Sequence, residues 1–174
     1  MVSNKKRLYL ALYPSGASSG CEDLKYHLAF LIGPKNEGRE AVPGMRYHVK
    51  NPPAGNWMYV EDGLPDVQST IRLLIRVMIA KVANERRLIE IFRNTPVIQN
   101  DPGFNCRSWV IDALSRISND PRAVGTAELD FDRIEARARS YAAEKTAAGR
   151  FGQGQDMRRP KPTWDMLEDK EVVS

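Results

Sequence analysis

The chain has 174 residues, 42% of them hydrophobic and 28% charged, enough for one domain to bury a core without disulfides or structural metals. Its 26 Lys and Arg against 22 Asp and Glu leave a formal charge of +4 spread along the chain, which is no footprint of a dedicated nucleic-acid binder. Two cysteines, Cys21 and Cys106, exclude a disulfide scaffold and the usual thiolate zinc site, and only two histidines, His27 and His48, are available for acid–base work.

The start, MVSNKKRLYLALYPSGASSG, has a basic head and an apolar stretch, but residues 8–13 are too short for a secretory core and carry two tyrosines. Leu8, Leu10 and Leu12 alternating with Tyr9, Ala11 and Tyr13 predict a β-strand over residues 6–13. With no export signal or membrane-length apolar run, the expected compartment is cytoplasmic and both cysteines are expected as free thiols. A Pro, Gly, Ser and Ala loop over 14–22 precedes a second strand over 26–32, stopped by Gly33-Pro34. A third strand is predicted over 45–50, a turn over 51–56 and a fourth strand over 57–61, paired antiparallel because turns join them. Residues 73–82 read as a fifth strand or as the continuation of a helix from Val67.

The second half turns helical. Leu88, Ile89 and Phe92 are spaced for a helix over 84–92 with Asn84 as N-cap; Trp109, Val110, Ala113, Leu114 and Ile117 line one face of a helix over 105–117; a longer polar helix spans 130–148. The expected architecture is α+β, an antiparallel sheet of four to five strands with packed helices, forming one domain over 1–149. Residues 150–174, dense in Gly, Pro and charge, are expected as a flexible or draped tail anchored by Trp164 and available to a protein partner.

Cys106 falls at the start of the best helix, where unpaired N–H groups and the helix dipole favour a thiolate and can hold an oxyanion. Free cysteine is also among the most buried residue types, so an inert core thiol is the alternative. A thiolate nucleophile needs an imidazole partner. His27 shares a strand face with Ala29 and Leu31, and His48 with Arg46 and Lys50; antiparallel pairing in a suitable register brings both imidazoles to one face. Other candidates read as structural. Cys21 is a loop thiol beside two acids; Glu128, Asp130 and Asp132 are acids at a helix start; Arg72, Arg76, Arg86 and Arg87 form a solvated strip; Trp57 and Tyr59 are core or cleft wall. Gly33-Pro34-Lys35 lacks the rest of a phosphate loop, and no metal or cofactor motif is present.

His27 in YHLAFLIG, His48 in MRYHVKN and Asn105-Cys106 opening NCRSWVIDAL together resemble the circularly permuted papain-like superfamily over about residues 7–118. The lecithin:retinol acyltransferase relatives use two histidines and an Asn-preceded cysteine in this order, and the deSUMOylating isopeptidases share the strand-histidine then Asn-Cys order. The chain departs from the first branch at Arg107 and Ser108, where that branch carries an acid and a histidine, and it lacks that branch's hydrophobic anchor. The resemblance implies Cys106 as nucleophile, His27 as general base, His48 as orienting group, and Asn105 with the Cys106 N–H as oxyanion support. It implies a thiol-dependent hydrolase or acyltransferase acting on an amide or ester through a cysteinyl thioester, with a small-molecule, lipid or peptide acyl substrate and no cofactor. A catalytically silent binding or assembly module on the same scaffold is the alternative, and an isopeptidase on a ubiquitin-like modifier a third reading.

Overall fold

The computed structural model describes residues 5–16, 21–38, 40–53 and 55–174. The basic head at 1–4 and parts of the loops expected over 14–22 and 51–56 lie outside them. In chain order come β1 (Arg7–Pro14), β2 (Tyr26–Gly33), β3 (Gly44–Lys50), β4 (Met58–Leu64), β5 (Ile75–Val82), α1 (Glu85–Asn94), α2 (Cys106–Ser118), β6 (Val124–Ala127), α3 (Phe131–Ala147), β7 (Thr163–Asp165) and β8 (Lys170–Val173).

The architecture is α+β, but among the described residues the sheet has eight strands, not four to five, and is mixed, not antiparallel. Its order is β4-β3-β2-β1-β5-β7-β8, with β6 also paired to β5 and β7 running parallel to β5. Residues 73–82 resolve as strand from Ile75 onward, with no helix before it.

Strand alternation sorts the core into two layers. Leu8, Leu10 and Leu12 of β1 and Leu28, Phe30 and Ile32 of β2 face the helices, where Trp109 of α2 lies against Phe30 and against Phe92 of α1, at 5.9 and 6.1 Å between ring centroids. Truncating Trp109 there removes about 3–5 kcal/mol of packing. Tyr9, Ala11, Tyr13, Ala29 and Leu31 face the other way, against Leu64, Val67 and Leu73. Val67 comes so close that a Cβ on Gly33 or Gly44 would fall 2.8 or 2.6 Å from its side chain, so glycine at both positions lets the segment after β4 lie on this face.

The expected tail is part of the domain. Thr163 and Asp165 are buried in β7, and Trp164 packs edge-on to Tyr141 of α3 at 5.6 Å, under the Arg137 guanidinium at 4.3 Å. Strands of three and four residues carry too little periodicity to stand out from a Gly- and Pro-rich background. The expected solvated arginine strip holds for Arg72 and Arg86, which are exposed, but not for the other two. Arg76 is fully buried and makes two bonds to Glu37, at 2.6 and 2.7 Å, and Arg87 pairs with Asp120.

Candidate active site

β2 and β3 are paired only at Phe30↔Tyr47, Leu31↔Arg46 and Ile32↔Met45. Toward His27 and Lys50 the ladder lapses, which opens the sheet at one end. β3 and β4 stay paired throughout, with Arg46 opposite Asp62 and His48 opposite Val60. His27, His48 and Asp62 therefore stand on one face of three successive strands, each diagonal to the next.

They form a continuous chain: His48 Nε2 lies 2.9 Å from Asp62 Oδ2, and His27 Nε2 lies 2.7 Å from His48 Nδ1. Arg46 donates Nε and Nη2 to the same Asp62 oxygen, at 3.0 and 2.8 Å. These bonds from Arg46 and His48 hold the Asp62 carboxyl below the usual range against the opposing effect of its burial. An ionised carboxylate only accepts, so the shared proton sits on His48 Nε2 and neutral His48 presents Nδ1 as an acceptor. His27 must then donate from Nε2, which leaves its Nδ1 lone pair without a hydrogen-bond partner among the described residues. Burial pushes His27 down to about 4, with the Arg46 and Lys50 cations adding to the shift. Burial pushes His48 down to about 4 as well, with His27 and Arg46 adding to it and Asp62 opposing. At neutral pH both rings are uncharged.

Both imidazoles open onto a cavity of about 710 Å³, whose wall includes Tyr13, Arg46, Lys50, Leu64, Ile71 and Arg72. The segment held down through Val67 supplies one side of it.

Cys106 approaches the same strand end from the helical side. Asn105 caps α2: its Oδ1 accepts from the N–H groups of Arg107 and Ser108 at 2.9 and 3.0 Å, while Ser108 Oγ accepts from the Asn105 N–H at 2.9 Å. This fixes the first turn, and the backbone N–H groups of Leu28, Arg107 and Cys106 favour the charged form of the Cys106 sulfur. Leu28 is the residue after His27, the base expected for this thiol. No hydrogen bond joins that thiol to either imidazole among the described residues, and Cys106 does not line the cavity.

The expected thiolate is corrected. Burial pushes the Cys106 thiol up, and the three N–H groups offset this only in part, so a residue 8% exposed rests protonated. Asn105, expected as oxyanion support, uses its carboxamide oxygen in the cap. Cys21 lies exposed before a short 3-10 turn (Glu22–Leu24), and Asp130 caps α3 by accepting from Arg133 N at 3.2 Å. Trp57 and Tyr59 stand over Phe104 and Trp109 as wall and core.

Asp62 was not a candidate from sequence. The fourth strand, read as ending at Glu61, runs to Leu64, and the 51–56 hairpin register is what sets Asp62 opposite Arg46.

No curated protein and no solved structure matches the chain. Residues 5–173 match the model of a family of unknown function, DUF6914. With all but the ends of the chain covered, the protein belongs to this family of unknown function, and its own geometry must carry the functional reading.

Proposed function

We propose that the protein is a thiol-dependent hydrolase or acyltransferase working through a cysteinyl thioester, on a scaffold of the circularly permuted papain-like kind. The observation that carries this is the Asp62–His48–His27 chain, which ends on the residue before Leu28, whose backbone N–H favours the charged form of the Cys106 sulfur.

In this reading the lapse in pairing between β2 and β3 is where the acyl carbonyl lies, with Cys106 on one side and His27 on the other. The bare Nδ1 of His27, reached by rotation of the Cys106 side chain while His27 Nε2 stays on His48, takes the thiol proton as sulfur attacks the carbonyl carbon. Proton transfer at attack suits a resting pair of neutral thiol and neutral imidazole. His48 and Asp62 fix the tautomer of His27 and share its charge once it is protonated. The N–H groups of Leu28 and Cys106 then serve the oxyanion as it forms. The bond to the leaving group breaks, and His27 gives that group its proton. Water or another acceptor, deprotonated by His27, cleaves the thioester and returns the thiol.

The test is acylation by 4-nitrophenyl acetate, read by intact mass and peptide mapping. The expected result is a transient acyl adduct on Cys106, absent from Cys106→Ser, retained in Cys21→Ser and strongly slowed in His27→Ala. No adduct, or equal slow modification of both cysteines, overturns the reading. That outcome would favour a catalytically silent binding module, for which the buried, protonated state of Cys106 speaks.

A further inference from the structure

The wall of the cavity is not electrically neutral. It carries three cations, Arg46, Lys50 and Arg72, against one carboxylate, Asp66. Asp66 is already engaged, since its Oδ1 accepts from the backbone N–H groups of Val42 and Gln68 at 3.2 and 3.0 Å. Arg46 is committed to Asp62. Lys50 reaches Asp62 only at 3.9 Å, with its side chain 44% exposed. Arg72 is exposed and has no hydrogen bond or ion pair among the described residues. Two cations therefore face a concave site with little to neutralise them, and low-dielectric walls concentrate their field there. Beside them Leu64, Pro65 and Ile71 offer apolar surface, and Ile71 is 89% exposed. The imidazoles, being neutral, add no charge, so an anion entering the cavity is drawn to Arg72 and Lys50 and not to the base.

We infer that the acyl compounds taken by this site are small and carry an anionic group, a carboxylate or phosphate, held by Arg72 and Lys50 while an apolar portion lies on Leu64 and Ile71. The inference rests on the thiol reading for the word acyl, but not for the anion site. A carboxylate accepts from a guanidinium in two parallel bonds, and Lys50 serves as a point charge on either kind of anion.

The experiment has two arms on the full chain. In the first, succinate and inorganic phosphate are titrated separately while the ring signals of His27 and His48 are followed by NMR. Saturable shifts with either anion are expected, weakened about tenfold in Arg72→Ala/Lys50→Ala and weakened further by salt. In the second, mono-4-nitrophenyl succinate is compared with 4-nitrophenyl butyrate. The anionic ester is expected to be favoured about tenfold in kcat/KM, and the double variant to bring the two esters level. If neither anion shifts the rings, or the double variant binds as tightly as the native chain, the anion site is overturned. Cleavage of both esters without preference overturns it too, and leaves the thiol reading standing. Anion binding with neither ester cleaved supports the anion site while sinking the thiol reading.

Discussion

Two polar networks lie on the same face of the sheet, and they differ in one respect. Arg76 is fully buried, and its donors are answered by both Glu37 oxygens, Thr163 Oγ1 and the Val67 carbonyl, with its guanidinium 4.5 Å from the Tyr9 ring. The Asp62–His48–His27 chain is as well ordered at one end, where Arg46 grips the carboxylate, but its other end is a nitrogen with no hydrogen-bond partner among the described residues. A network closed by buried acceptors around a paired charge holds the fold together. One that ends on an open lone pair beside a cavity can move a proton.

Breaking the closed network should have the largest effect on stability. Glu37→Ala leaves the Arg76 charge buried without its carboxylate, so a loss of about 3–5 kcal/mol is expected in urea unfolding. Acylation of Cys106, measured where the variant is folded, should stay close to the native rate. A loss under about 1 kcal/mol would place the pair among solvent-screened surface contacts and dissolve the contrast.

The open network should show the converse pattern. His27→Ala is expected to slow Cys106 acylation by about 10²–10³, the range of a lost general base, while costing less stability than Glu37→Ala. Native-like acylation in this variant would mean that the imidazole chain does not serve the thiol.

Protonation offers a third way to separate the two. Both histidines sit near 4 in the folded chain against about 6.5 when unfolded, because burial and neighbouring cations oppose their charge. Between these values the unfolded chain binds more protons, so unfolding free energy falls as pH drops. The stability is fully present above about pH 6.5 and is lost toward pH 4. His48→Gln should flatten that slope, whereas Glu37→Ala should lower the whole curve and keep it. An unchanged slope in His48→Gln would show that the titrating groups lie elsewhere.

What was legible in the sequence follows the strength of the local signal. The helices announced themselves through apolar spacing and, at Asn84, an N-cap; Asn105 and Asp130 prove to cap the other two. The β1 to β4 meander followed from alternation and turn residues, whereas the sharing of one face by His27 and His48 was conditional on a register that only the structure supplies. Asp62 stayed hidden because its role depends on register between two strands, which no single segment encodes. The protonated state of Cys106 was hidden for a related reason. The helix start is local, but the burial that outweighs it comes from core packing assembled from distant parts of the chain. The parallel joining of β7 to β5 is a contact across some 87 residues, with only three residues of strand to advertise it.

The smallest expected effect tests how the thiol is held. Asn105 answers two N–H groups at the start of α2, so Asn105→Ala should cost about 1 kcal/mol and let the first turn fray. Asn105→Asp keeps an acceptor in the same place and should restore that stability, since aspartate caps as well as asparagine and its charge suits a helix N-terminus. The same charge stands next to the sulfur and opposes its ionisation. Asn105→Asp should therefore alkylate more slowly with iodoacetamide than the native chain, with a pH midpoint displaced upward, although it is as stable. If the two variants slowed alkylation only in proportion to lost stability, the cap would be a helix stop and nothing more. A split, with one variant losing stability and the other losing thiol reactivity, would show that the cap fixes where the sulfur sits while its neutrality sets how readily that sulfur ionises.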